Sequence, residues 1–92
     1  MKIKFAVVGS GRIGLRHARM IELNQDAELV ALIDIDESIH EEIKKEHNVP
    51  VFADLSSFFS SGIEVDVVNV CTPNYLHASQ SIEAINNDCH VV

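Results

Sequence analysis

Two hydrophobic periods alternate along the chain. Ile3–Val8, IKFAVV, is a nearly unbroken apolar run rich in β-branched residues, the pattern of a strand covered on both faces. From Arg12 to Asn24 the spacing turns helical. At about 100° per residue, Ile13, Gly14, His17, Ala18, Met20 and Ile21 share one face and Arg16, Arg19 and Glu22 the other. Ala27–Asp34 (AELVALID) predicts a second strand. Asp36–His47 predicts a second helix, with Asp36 as N-cap, acids early and Lys44 and Lys45 late, as the helix dipole favours. Val49–Phe52 reads as a short third strand, Asp54–Gly62 as a short capped helix and turn, and Val65–Cys71 as a fourth strand. Leu76–Asn87 is a helix with Ala78, Ile82 and Ile85 on one side, and Cys89–Val92 begins a fifth strand. Strands alternating with helices through short connections predict βαβ units and a parallel α/β sheet with right-handed crossovers.

That alternation gives meaning to Gly9-Ser10-Gly11-Arg12-Ile13-Gly14, a GxGxxG run that alone would be a weak signal. It falls where the first strand ends and the first helix begins. Gly9 suits a tight turn, Gly11 lets a pyrophosphate approach the backbone, and Gly14 lets the helix sit close to the strands. Free amides near Arg12 and Ile13 would meet phosphates at the positive end of the helix dipole. Asp34 ends the second strand twenty positions after Gly14, the spacing of a carboxylate that binds ribose hydroxyls. Asp36 follows, and no Arg, Lys or Ser stands directly after Asp34, which Ile35 follows. A 2′-phosphate there would meet two carboxylates, so NAD is expected in preference to NADP. The alternative is that the glycines serve only the turn and Asp34 merely precedes a helix. These observations predict a Rossmann-type doubly wound sheet of about five strands, in the order 3-2-1-4-5, forming one dinucleotide-binding domain over residues 1–92.

Composition narrows the picture further. At 92 residues the chain has room for one domain. Seven basic against fourteen acidic residues give a formal charge of −7, which argues against nucleic acid or an anionic membrane as partner. The longest apolar run is far too short to span a bilayer, and the start lacks the pattern of a secretory signal. A cytoplasmic location with Cys71 and Cys89 as reduced thiols is therefore expected. Cys71, Cys89, His77 and His90 lack the close spacing of a zinc site, so no metal is expected. Cys71 ends a strand without an identifiable base partner and reads as packing.

The second informative stretch is VVNVCTPNYLHA, Val67 to Ala78. With Thr72-Pro73-Asn74-Tyr75-Leu76-His77, the opening GRIGLRHA and the closing CHVV, the chain resembles the Gfo/Idh/MocA family of dehydrogenases over its full length. The resemblance implies that Cys71, Thr72, Pro73, Asn74 and His77 face the fingerprint across the cofactor, with Asn74 and His77 near its ribose or nicotinamide side. An ordinary turn and helix cap is the alternative for Thr72, Pro73 and Asn74, and a histidine that merely sits near a helix N-terminus is the alternative for His77. His17, central on the first helix's apolar face, is expected to pack. Family members carry Gly-Lys-His-Val before the fifth strand; here Asn87-Asp88-Cys89-His90-Val91 stands instead, where Asn or Asp can supply the left-handed helix cap. The family's E-K-P lysine and its second, sheet-rich α+β domain would both lie beyond Val92. The chain is thus expected to be part of a longer enzyme and inactive alone, with no catalytic residue of its own.

The resemblance implies an oxidoreductase in which NAD takes hydride from a carbinol of a sugar, nucleotide sugar or cyclic polyol, the substrate being held through the further domain. A dinucleotide-sensing regulatory domain and a vestigial scaffold are the other two functions weighed. TPNxxH disfavours a sensor, which needs no loop aimed at a nicotinamide. An exposed sheet edge leaves room for a homo-oligomer.

Overall fold

The computed structural model describes residues 2–9, 11–72 and 74–92; the side chains of Arg12, Asn74 and Tyr75 also lie outside the description. Five parallel strands form one sheet in the order β3-β2-β1-β4-β5, as the alternation predicted. These are β1 (Ile3–Val8), β2 (Ala27–Ile33), β3 (Val51–Phe52), β4 (Val67–Val70) and β5 (His90–Val91). Between them run α1 (Arg12–Leu23), a 3-10 turn at Glu37–Ile39 leading into α2 (His40–His47), α3 (Leu55–Ser60) and α4 (Asn74–Asn86).

The apolar runs of β1 and β2 exist because both faces of the sheet are covered. Ala6, Val8, Ala31, Ile33 and Val68 pack with Leu55 and Phe58 of α3 and Ala84 of α4. On the opposite face Val7, Leu29 and Leu32 pack with Ala18 and Ile21 of α1 and Ile43 of α2. Phe58 is fully buried and meets Phe52 edge-on, ring centroids 5.5 Å apart.

The register levels the strand ends. Val8 pairs with Ile33 and with Val70, and Ile33 with Phe52. Gly9, Asp34, Ala53 and Cys71 therefore leave the sheet side by side. The ladder continues one step past the strands: Gly9 N–H donates to Ile33 O at 2.7 Å, Asp34 N–H to Phe52 O at 2.9 Å and Cys71 N–H to Val8 O at 2.8 Å.

Local chemistry explains where elements stop. β3 begins at Val51 rather than Val49, because Pro50 has no N–H and contributes only its carbonyl, which accepts from Leu32 N–H. Asp36 caps the 3-10 turn instead of α2 itself, accepting from Ser38 N–H at 3.1 Å. α2 ends on Asn48 in the left-handed conformation (φ 54°). Asp88 takes the same conformation (φ 64°) after α4, the place the sequence offered to Asn or Asp. At α3, Asp54 accepts from Ser57 N–H at 2.7 Å, and that bond lowers the carboxyl's pKa.

The helices are more lightly covered than their periodicity suggests. Among the described residues of α1 only Gly14, Ala18 and Ile21 are buried, while Ile13 and Met20 are 63% and 65% exposed. In α4 the shared side of Ala78, Ile82 and Ile85 is the exposed one, and Ala84 faces the core. His17 is half-buried, its Nδ1 3.1 Å from Nδ2 of buried Asn69 on β4. His47 closes the end of α2 on α1, with Nδ1 3.0 Å from Glu22 Oε2.

Two predictions follow from these packing and capping details. A Cβ at Gly14 would lie 1.7 Å from the Gly9 carbonyl oxygen. Alanine's better helix propensity, about 1 kcal/mol, cannot offset a clash with backbone. Gly14→Ala should cost on the order of 3 kcal/mol, lowering Tm by more than about 10 °C in a thermal melt followed by circular dichroism. Gly11→Ala, whose Cβ meets nothing within 4 Å among the described residues, should leave Tm nearly unchanged. The second concerns acid. Because folding lowers the Asp54 carboxyl's pKa, its stabilisation is complete above the unfolded pKa and lost as pH falls through the folded one. Asp54→Asn keeps a side-chain acceptor for the cap, and a pH series of melts should show a shallower loss of Tm in acid.

Candidate functional site

The level strand ends, with α3 and α4 behind them, form a cleft of about 410 Å³, within the range of small-molecule sites. Its lip carries Gly9, Gly11, Asp34, Ile35, Cys71 and Thr72. Its back wall adds Ala53, Asp54 and Leu55 from the start of α3, and Leu76, Gln80 and Glu83 from α4. The position is the crevice beyond the carboxyl ends of the strands, where the chain order reverses between β1 and β4 and open parallel sheets bind their ligands.

Two glycines are required by the protein itself. Gly9 has φ +91°, and a Cβ on it would meet the Cys71 carbonyl oxygen at 2.8 Å. Gly14 lies over the Gly9 carbonyl. Gly11 differs: its φ of −69° suits any residue. It caps the N-terminus of α1 and has no side chain to occupy the helix's first amides, while Leu15 N–H makes the first helical bond to its carbonyl. No acid stands in the first turn of α1 to compete for those amides.

Asp34 is half-buried at the lip. Its Oδ1 accepts from Asp36 N–H at 2.8 Å, and its carbonyl oxygen lies 2.6 Å from His40 Nε2. The first contact holds the carboxylate and the second the backbone at the end of β2. Ile35 beside it is 86% exposed. Across the cleft the Thr72 hydroxyl donates to Gln80 Oε1, tying the loop after β4 to α4. Cys71 is half-buried, and burial pushes its thiol pKa up, the reverse of what activates a nucleophile.

The residues expected at the site thus divide. Gly9, Gly11, Asp34, Ile35, Cys71 and Thr72 meet at one cleft, and Gly14 supports it from below. Ile13 is exposed on α1 and lies outside the cleft wall. His77 also lies outside it, and its buried Nε2 has no hydrogen-bond partner among the described residues. Ser10 and Pro73 lie outside the described residues, as do the side chains of Arg12 and Asn74. Sequence reasoning did not single out Leu76, Gln80 and Glu83. Their i, i+4, i+7 spacing was the available signal, masked because two of the three are polar.

A glycine-rich strand–helix turn facing an acid at the end of the next strand defines a nucleotide-binding α/β domain. Residues 3–92 match the model of the Gfo/Idh/MocA oxidoreductase family, NAD-binding Rossmann fold, and the chain belongs to that family. An oxidoreductase of Streptococcus pneumoniae serotype 4 is 38% identical over 89 residues, spanning 97% of this chain and 23% of that protein. The WlbA dehydrogenase from Bordetella pertussis, solved with NADH and UDP-GlcNAcA, superposes with a TM-score of 0.90 at 32% identity, over 99% of this chain and 28% of that one. The scyllo-inositol dehydrogenase from Lactobacillus casei, solved with NAD(H) and scyllo-inositol, gives a TM-score of 0.89 at 32% identity, over 99% and 27%. The chain thus spans about a quarter of the length of the relatives it matches. Among the described residues no helix is long and apolar enough to cross a membrane.

The thiols give a chemical check on the cleft. Burial raises the pKa of both Cys71 and Cys89. Each should react with iodoacetamide at pH 8 more slowly than a free cysteine, as peptide mapping by mass spectrometry would show.

Proposed function

We propose that this chain is the NAD-holding part of a dehydrogenase that oxidises a carbinol of a sugar, nucleotide sugar or cyclic polyol. Gly11 carries the proposal. Packing explains glycine at Gly9 and Gly14, but a side chain on Gly11 would meet nothing within 4 Å among the described residues. What gains from its bare backbone is a ligand lying against it, and the first-turn amides of α1 suit a pyrophosphate there.

Gly9, Gly11 and the amides of Arg12 and Ile13 would cradle the phosphates. Asp34 would take the adenosine ribose hydroxyls, its carboxylate held in place by the Asp36 amide. Ile35, Cys71 and Thr72 would enclose the dinucleotide, with Asn74 and His77 placed by the family resemblance towards its ribose or nicotinamide side. When bound, NAD supplies the hydride acceptor; the chain's own residues bind it, orient it and shed water from its apolar flank. Among the described residues the cleft wall carries no lysine or histidine. The family resemblance, not the cleft, places a base for the carbinol proton in polypeptide beyond this chain, so the chain alone should not turn over substrate. Substrates of this kind are named for the inositol and nucleotide-sugar enzymes that the chain resembles.

Titration with NADH and NADPH by calorimetry tests the proposal. NADH should bind saturably, and NADPH at least about tenfold more weakly, because its 2′-phosphate would face the carboxylates of Asp34 and Asp36. Asp34→Ala should weaken NADH by about tenfold or more and narrow the gap to NADPH. A folded chain that binds neither nucleotide, or an unaltered Asp34→Ala, would overturn it.

A further inference from the structure

The two faces of the sheet are covered unevenly. On one, α3 and α4 pack over Val68 of β4 and Cys89 at the start of β5. On the other, α1 and α2 lie over β1, β2 and β3, and among the described residues the covering stops at α1. Beyond it a cavity of about 310 Å³ opens, lined by Phe5, His17, Met20, Asn69 and Val92 among others. Met20 and Val92 on its rim are 65% and 67% exposed. Parallel sheets are stable with both faces covered, so an open half-face over β4 and β5 calls for a cover.

Asn69 shows what that cover must bring. It is 6% exposed, and its buried Oδ1 has no hydrogen-bond partner among the described residues. Its Nδ2 can only donate, so His17 Nδ1, 3.1 Å away, accepts and the neutral ring carries its proton on Nε2. The cavity thus offers a buried acceptor and a ring donor within an apolar rim. An acceptor buried without a partner is costly, and a hydroxyl or carboxamide supplies a donor and an acceptor together. Handedness says where the cover originates. α1 crosses from β1 to β2 on this face, and α4 from β4 to β5 on the opposite one. A further right-handed step, from β5 to a strand on its free edge, would again use the face of α4. The cover is therefore not a crossover of this sheet. The relatives, about a quarter of whose length this chain spans, have ample further polypeptide to provide it.

We infer that the groove between α1 and the end of β5 holds a helix from polypeptide outside the nucleotide-binding domain. That helix is apolar towards Met20 and Val92 and carries one hydroxyl or carboxamide side chain, which donates to Asn69 Oδ1. Asn69 stands two residues before Cys71 at the lip of the cleft, so the contact ties the further polypeptide to the strand that carries the Thr72 loop. The inference rests on the reading of this chain as part of a larger enzyme and is independent of nucleotide binding.

The test uses the full-length protein and maleimide labelling read by peptide mapping. Met20→Cys should react at least about tenfold more slowly than Lys45→Cys on the exposed side of α2, because its labelling waits on local opening. Dilution should leave that ratio unchanged, since the cover belongs to the same molecule. Asn69→Leu, which keeps the size of the side chain and loses its acceptor, should speed the labelling of Met20→Cys. A photo-crosslinker, p-benzoylphenylalanine in place of Met20, should join a peptide beyond residue 92 of the same molecule. Equal rates for the two cysteines, or a cross-link to a second copy, overturns the inference, and a rate unmoved by Asn69→Leu overturns the part given to Asn69. The Met20 measurements decide even where Asn69→Leu fails to fold. NADH titration of the same Met20→Cys protein tests the dinucleotide reading separately, because Met20 lies outside the strand-end cleft.

Discussion

The architecture depends on one close contact, the seating of α1 on the turn that precedes it. Gly14 lies so near the Gly9 carbonyl that no Cβ fits between them. Gly9 itself needs a positive φ to pass beneath the Cys71 carbonyl. Together they bring the positive end of α1 to the level of the strand ends rather than above it. The same seating lets Gly9 and Cys71 extend the ladder to Ile33 and Val8, so the loop after β4 is drawn against the loop after β1. Without that contact there would be strands and helices but no narrow crevice between them.

The crevice has a division of labour along its length. At the β1 end it offers backbone amides and a glycine on which an added Cβ would meet nothing within 4 Å among the described residues. At the end of β2 it offers a carboxylate held by Asp36 N–H. Behind these, apolar wall gives way to Gln80 and Glu83. Acid at the ribose position and amides at the phosphate position favour complementary ligand groups while keeping like charges apart. Cys71, which a motif search could promote to a nucleophile, is instead part of the wall, and burial holds its thiol in the protonated form.

The parallel sheet was legible because both-sided burial imposes a short apolar run on each strand, and no other soluble arrangement alternates such runs with amphipathic segments. Element ends were legible only where their chemistry was local. Asp54 and Asp88 fulfilled capping roles that their neighbours in sequence announce. The start of β3 was misplaced because Pro50 sits beside apolar residues yet cannot donate to a ladder. Which side of a helix is covered proved harder. Ile82 and Ile85 share a face by period, but the sheet meets α4 through Ala84, leaving both more than half exposed. Periodicity identifies a stripe without saying which surface will be laid against it.

The sequence by itself determined the succession of strands and helices, the glycine turn between the first pair and the acid at the end of the second strand. These are set by backbone sterics and local burial, and such forces act over a few residues. Tertiary structure alone decided that Thr72 would meet Gln80, that Glu83 would stand at the back of the same cleft, and that Ile13 and His77 would lie outside its wall. Those relations depend on where α4 crosses the sheet and how deeply α1 sits on its turn, which are properties of packed surfaces rather than of spacing along the chain.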